Sequence, residues 1–196
     1  MSVNNKITTK DLINLGIFTI FYFVMFFICG LLAYIPILAV ILPFLLGIVG
    51  GIPFILLVSK TGKFGIVTLM GLLEGLLCFV VGQSWISIIF GFVFGLIADL
   101  IIKSGNYKRF KTIAIGYSVF NEWVIGSMLP MWIMRDTFFK MYRENGGTEQ
   151  YINTMMKLTS NNMLIVVIIL ALIGGALGMF LGRAMLKKHF TRARII

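Results

Sequence analysis

The sequence has few of the residues that enzyme and metal sites most often use. It contains one histidine, His189, and two cysteines, Cys29 and Cys78. The histidine lies in a basic C-terminal tail, and both cysteines lie inside apolar runs, where buried thiols are commoner than metal ligands. The sequence also has no glycine loop followed by Lys and Ser or Thr, and no His-Glu-x-x-His motif. These absences favour a protein that is not an enzyme, with no metal site and no intrinsic cofactor.

Charged residues are also scarce. They make up 12% of the 196 residues, whereas hydrophobic residues make up 59%. A soluble domain of this length does not need so much apolar surface. The net charge of +10 comes from basic residues that lie between hydrophobic runs rather than on one soluble face, so nucleic acid is not an expected partner. The composition instead predicts a protein embedded in the lipid bilayer.

Six continuous apolar runs, or spans, can be marked along the chain. They are residues 12–33, 37–58, 64–81, 85–102, 110–134 and 163–186. Each is close to the roughly 20 helical residues that about 30 Å of hydrocarbon requires. None shows the apolar–polar alternation of barrel strands. The predicted fold is an all-α membrane protein, a single domain over residues 1–196 built as a six-transmembrane-helix bundle.

The distribution of Lys and Arg predicts how the bundle is oriented. With the N- and C-termini in the cytoplasm, thirteen of the seventeen basic residues lie in inner segments. The other four are all in the loop between spans five and six, residues 135–162. Because basic residues favour cytoplasmic loops, the sequence predicts that both termini are cytoplasmic and that this loop lies outside.

The outer loop itself is too apolar for a simple linker. Phe138, Met141 and Tyr142 recur at helical spacing, as do Tyr151, Met155 and Met156 on the other side of Gly146 and Gly147. The pattern predicts a partly helical loop made of two short pieces. Two interpretations stay open: a lid over the outer mouth of the bundle, or an interfacial helix resting on lipid headgroups.

Two carboxylates are predicted to lie deep in the membrane. Glu74 in span three and Glu122 in span five both fall roughly 15–18 Å from the inner surface. An ionisable side chain at that depth indicates a functional site unless it is paired within the packing. Asn121 and Trp123 flank Glu122, so Asn121, Glu122 and Trp123 are predicted to contact substrate, and Glu74 is predicted to be a membrane-buried carboxylate. Asp99 is expected to pair with Lys103 at the inner surface.

The outer half of span five is rich in thioethers and aromatic rings. Pro130 is expected to bend the helix and open a cavity. Such side chains suit a large, flat or greasy ligand, and a nearby guanidinium could meet its acidic group; the alternative is that they fill the core and mark the interface. The further residues predicted to contact substrate are Met128, Met131, Trp132 and Arg135, with Tyr34 in the outer turn between spans one and two.

Glycines recur at four-residue spacing in four of the spans. Such rows let helix backbones approach closely, either within the bundle or against a partner membrane protein, and internal packing is the favoured interpretation. The rows are Gly47 and Gly51, Gly71 and Gly75, Gly91 and Gly95, and Gly174, Gly178 and Gly182.

Two segments carry a resemblance to a known family. The opening KITTKDLINLGIFTIFYFVMFF, residues 6–27, and the FNEW segment, residues 120–123, resemble the Trep_Strep-type group of small bacterial integral membrane proteins. Six short hydrophobic helices, both ends inside and a basic tail also resemble the substrate-binding S components of energy-coupling factor (ECF) transporters. The resemblance covers nearly the whole chain.

The resemblance implies a function. An S component in the bacterial cytoplasmic membrane captures a micronutrient from outside, and then docks on a membrane coupling protein bound to two ABC ATPases. The cargo is expected to be vitamin-like, or haem-like if a thioether or phenol ligates iron. The family's first helix often carries a small-xxx-small docking pair. Here Gly16 is followed by Ile20 with only Thr19 small nearby, so Gly16 and Thr19 are the predicted docking residues.

Two rival functions remain open from the sequence. The first is a stand-alone proton-coupled secondary transporter that uses Glu74 and Glu122. The second is an intramembrane enzyme built on carboxylates alone, or a sensor subunit.

Overall fold

The protein is built from helices alone over the part that the structure describes. The computed structural model describes residues 6–190, with side chains to residue 187, so the predicted basic tail from residue 188 onward lies outside the described side chains. The α-helices are α1 (Thr9–Leu31), α2 (Pro36–Val40), α3 (Leu42–Thr61), α4 (Ile66–Val80), α5 (Ile86–Ser104), α6 (Phe110–Phe120), α7 (Ile125–Met128), α8 (Pro130–Ile133), α9 (Arg135–Glu144), α10 (Glu149–Leu158) and α11 (Asn161–Phe190). Two short 3-10 helices cover Leu32–Tyr34 and Asn121–Val124.

Four stretches are long and apolar enough to cross a membrane. They are Thr9–Tyr34, Leu42–Thr61, Ile86–Ser104 and Asn161–Lys187. Helix α4 is apolar but has only 15 residues. The all-helical membrane fold is therefore confirmed, while the count of six spans and the cytoplasmic position of both termini stay predictions.

The predicted fifth span, residues 110–134, is not one helix. It is broken into α6, the Asn121–Val124 3-10 helix, α7 and α8. The break before α8 falls at Pro130, which has no backbone N–H to continue the helix. The 3-10 break begins at Asn121, whose side-chain amide is bonded to the backbones of two other helices. The second span also starts later than predicted, because Leu42 begins α3 after the separate short helix α2.

Glycines set the closest helix contacts, as the sequence predicts for internal packing. A Cβ added at Gly71 would overlap the carbonyl of Gly91, which joins α4 to α5. A Cβ at Gly47 would lie 2.6 Å from the carbonyl carbon of Gly174, which joins α3 to α11. Backbones this close leave no space for any larger residue, so these two helix pairs form the rigid frame of the bundle.

The end of the bundle that is predicted to face the cytoplasm is held by two carboxylates. Asp11 bonds the backbone N–H of Thr8 and the Lys63 ammonium at 2.7 Å, which ties the start of α1 to the loop after α3. Asp99 accepts bonds from the N–H groups of Gly65 and Thr68 at 2.8 and 3.1 Å and so caps the start of α4.

The expected ion pair between Asp99 and Lys103 is not formed among the described residues. The Asp99 carboxylate also accepts bonds from the Thr68 hydroxyl at 3.0 Å and the Tyr107 hydroxyl at 2.6 Å. The Lys103 ammonium instead lies 4.5 Å from the centre of the Phe64 ring. The expectation was wrong because helical spacing alone does not reveal that four donors from other segments already surround the carboxylate.

Candidate functional site

A cavity of about 430 Å³ lies at the end of the bundle that the sequence predicts to face outside. Its walls come from the end of α1 and from the turns that follow α1 and α4. Helix α2, the start of α3, helices α7 and α8, and the helix pair α9–α10 complete them. The lining residues are Phe26, Phe27, Gly30, Leu31, Ala33, Tyr34, Ala39, Leu42, Val81, Gln83, Ser127, Met128, Met131, Phe138, Tyr142, Tyr151 and Met155. A volume of this size is typical of small-molecule sites.

The helix pair α9–α10 forms the outer wall of this cavity. The rings of Tyr142 on α9 and Tyr151 on α10 stack with their centres 5.0 Å apart. The Tyr151 hydroxyl donates a hydrogen bond of 2.8 Å to the carbonyl of Ala33, just after α1. Burial raises the pKa of Tyr151 to about 12, so this hydroxyl stays a hydrogen-bond donor even at the alkaline pH where a free tyrosine ionises. The pair is therefore attached to the bundle at the edge of the cavity, as a lid would be.

A salt bridge joins the end of α9 to the start of α10 at the tip of the helix pair. Arg143 on α9 pairs with Glu149 on α10 through two hydrogen bonds, one of them from the guanidinium to Glu149 Oε2 at 3.1 Å. This pair raises the pKa of Arg143 and lowers that of Glu149. Both side chains are exposed, so the pair contributes little free energy.

Three of the predicted site residues lie on the cavity. Met128 and Met131 face it from α7 and α8, and Tyr34 stands at its edge with 78% of its surface exposed. In the sequence, the pattern that indicated the opposite wall of the cavity was a set of apolar residues at helical spacing in the outer loop: Phe138, Met141, Tyr142, Tyr151, Met155 and Met156. Four of those six residues line the cavity, while Met141 and Met156 are exposed.

Arg135 and Trp132 lie beside the cavity but not on it. The Arg135 guanidinium donates to the Thr159 carbonyl at 2.6 Å and its hydroxyl at 3.0 Å, and to the Met156 carbonyl. The Trp132 indole N–H donates to the Ser160 carbonyl at 3.0 Å. Both side chains therefore fix the end of α10 and the start of α11.

Asn121 and Trp123 lie deeper, in the packed interior, and do not line the cavity. The Asn121 amide donates to the carbonyls of Pro43 at 2.8 Å and Ala171 at 3.0 Å, and its oxygen accepts from the Tyr22 hydroxyl at 3.3 Å. The Trp123 indole N–H lies 3.4 Å from the same Tyr22 oxygen. This network joins α1, α3 and α11 around the 3-10 segment, so its visible role is to hold the fold that positions the cavity.

The two predicted membrane carboxylates are buried, and three of their four oxygens are enclosed with no hydrogen-bond partner among the described residues. Both oxygens of Glu74 and Oε1 of Glu122 are unpaired. Neither residue lines the cavity.

The two predicted docking residues are neighbours on the surface of α1 but differ in exposure. A Cβ added at Gly16 would meet open space, so this position is accessible from the membrane. Thr19 is 3% exposed, with its hydroxyl turned into the bundle. Of the two, only Gly16 is therefore available to a partner in this structure.

The sequence reasoning missed the contributions of α1 and of the α4–α5 turn. Phe26, Phe27 and Gly30 line the cavity from α1, and Gln83 lines it from the turn. No local pattern distinguishes these residues from their lipid-facing neighbours. The only available signal was that Gln83 is a polar residue in a tight outer turn.

Comparison with known proteins gives one match. A family model described as a hypothetical bacterial integral membrane protein (Trep_Strep) matches residues 9–192. No curated protein and no solved structure matches the chain. The match includes every residue that lines the cavity and the whole Asn121 network.

We expect Asn121→Ala to destabilise the protein by about 2 kcal/mol, because it removes buried hydrogen bonds to three other helices. For a chain of this length, that loss lowers Tm by roughly 4–8 °C. Thermal unfolding of the purified protein in detergent measures the shift. Asn153→Ala is the matched control, because Asn153 is exposed and its loss should leave Tm unchanged. Equal Tm values for both variants would contradict the structural role of Asn121.

Proposed function

Because the chain belongs to the Trep_Strep family of bacterial integral membrane proteins, we propose that it is the substrate-capture (S) component of an ECF-type importer. It binds a micronutrient in the cavity at the outer end of the bundle. It then delivers this cargo together with a membrane coupling protein and two ABC ATPases. The observation that carries the proposal is the cavity itself, walled by the helix pair α9–α10 at the end opposite the basic segments.

The lining of the cavity supports a vitamin-like or haem-like cargo. Met128, Met131 and Met155 reach it from two separate segments. Thioethers adapt to irregular ligands and attract aromatic ring edges, and a thioether is also a known axial ligand of haem iron. The predominantly apolar wall fits the ring system of either type of cargo, but among the described lining residues there is no cation to pair with the two propionate carboxylates of haem itself.

The bilayer location and the basic ends fit a protein of the bacterial cytoplasmic membrane. Lys60, Lys63 and Lys103 lie at the end of the bundle away from the cavity. With that end in the cytoplasm, the cavity faces the outside, where an importer must collect its cargo.

Purification of the tagged protein from its native membrane tests the proposal. A coupling protein and two ATPases should co-purify, and an extract should contain a small molecule in near-stoichiometric amount. An unrelated tagged membrane protein of similar size is the control. Repeated absence of ATPase subunits, with the small molecule still present, would rule out the importer assignment.

Substitutions at two glycines of α1 should distinguish cargo capture from docking on the coupling module. Gly16 and Gly30 both have open space where a Cβ would lie, but only Gly30 lines the cavity. Gly30→Leu should reduce co-purified cargo at least tenfold, because its side chain fills the site. Gly16→Leu should keep the cargo but reduce co-purified ATPases, because it alters the exposed face of α1.

Both amounts are measured by mass spectrometry on the same preparations. Tm should not fall in either variant, because glycine is a poor helix former and neither site is crowded. Loss of cargo in Gly16→Leu, or its retention in Gly30→Leu, would contradict this division of roles.

Removing one hydrogen bond should loosen the helix pair α9–α10. Tyr151→Phe keeps the stacked ring but loses the bond to the Ala33 carbonyl, which is worth about 1 kcal/mol. Amide hydrogen exchange in α10 should therefore become about fivefold faster. Tyr142→Phe is the control, since it changes the other ring of the stack and leaves the Ala33 bond intact. Equal exchange rates in the two variants would show that this bond does not hold the pair.

A proton-coupled carrier is the second candidate, because Glu74 is buried with both carboxylate oxygens unpaired. An uncoupler of the proton gradient would stop uptake by such a carrier within seconds to minutes. Uptake that continues in the uncoupler but stops when ATP is depleted would favour the importer.

A further inference from the structure

We propose that the cavity selects an uncharged, flat ring compound that carries one polar edge, and that it disfavours carboxylate-bearing ligands. This inference rests on the proposed function in taking the cavity as the capture site. It adds the chemical class of the cargo, on which the family match gives no information.

The first support is the absence of charge from the wall. Among the described residues that line the cavity there is no Asp, Glu, Lys, Arg or His. The nearest predicted partner for an acidic group, Arg135, already donates to the carbonyls of Thr159 and Met156. An anion that left water for this cavity would find no cation to replace its hydration, which is strongly unfavourable.

The second support is the density of rings on the wall. Three aromatic side chains come from α1 and the turn after it, and three from the helix pair α9–α10. They are Phe26, Phe27, Tyr34, Phe138, Tyr142 and Tyr151. Aromatic faces and edges pack best against another ring, and the thioethers beside them add contacts at ring edges.

The third support is that the polar groups of the wall are neutral. Besides the hydroxyls of the three tyrosines, they are the side chains of Ser127 and Gln83. Ser127 already donates its hydroxyl proton to the Val124 carbonyl at 2.7 Å, so its oxygen is left to accept a hydrogen bond. Gln83 stands exposed at the edge of the cavity and offers both a donor and an acceptor. A ligand with one N–H or O–H group at its edge matches this pair.

A matched pair of fluorescent probes tests the charge preference. Anthracene-9-carboxamide and anthracene-9-carboxylate share one ring system and differ in charge. Each is titrated into the purified full-length protein in nanodiscs, after any co-purified compound has been removed. Gly30→Leu is titrated in parallel, and only binding that this variant abolishes is counted, which removes partition into lipid. The carboxamide should bind at least tenfold more tightly than the carboxylate.

A pair of charge variants tests whether the wall itself sets this preference. Gln83→Arg places a cation on the cavity and removes the acceptor of glutamine, so it should raise carboxylate affinity at least fivefold relative to carboxamide affinity. Gln150→Arg adds the same charge on α10 at a position that is exposed and does not line the cavity, so it should leave both affinities unchanged.

Three results would overturn the inference. They are carboxylate binding as tight as carboxamide binding, no cavity binding of either probe, and equal effects of Gln83→Arg and Gln150→Arg. The measurement needs no ATPase, so it fails or succeeds independently of the importer assignment. Tight carboxylate binding that Gly30→Leu abolishes would remove the charge rule and leave the capture role intact. Expected probe binding without co-purified ATPases would remove the importer and leave the ligand class intact.

Discussion

The Asn121 side chain is the polar contact on which the arrangement of the bundle depends. Its amide reaches the carbonyls of Pro43 and Ala171, and its oxygen meets the Tyr22 hydroxyl. In a hydrocarbon environment no water competes for these bonds, and helices gain little from apolar attraction to one another. One amide therefore links α1, α3 and α11 within the bundle. Because α1 and α3 begin or end at the outer cavity, their positions determine its shape.

The outer part of the protein is organised differently from this core. The helix pair α9–α10 is attached to the bundle by the Tyr151 hydroxyl and by a buried apolar cluster that includes Phe139, Ile152 and Met155. The ring stack and the exposed ion pair join α9 to α10, and the exposed ion pair contributes little to stability. The frame around Gly47 and Gly71, in contrast, has backbones in direct contact. The outer wall of the cavity is therefore held by side-chain contacts, whereas the frame is held by contacts between main chains.

Much of the fold follows from the sequence, and the site follows only in part. Long apolar runs, the glycine rows and the break at Pro130 could all be predicted, because each depends on local chemistry. The role of Asn121 could not, since an amide in an apolar helix suits a ligand and a neighbouring helix equally well. Which one it meets depends on helix rotation, and no short pattern encodes that. Gln83 likewise reaches the cavity only because the turn after α4 lies beside α1.

The glycine contacts have a mechanical consequence. With Gly71 against Gly91 and Gly47 against Gly174, neither helix pair can slide without a collision between main chains. A passage between the two helices of either pair would require those contacts to separate. Motion that releases a bound molecule on the far side of the membrane would then have to carry each of these helix pairs as one solid unit.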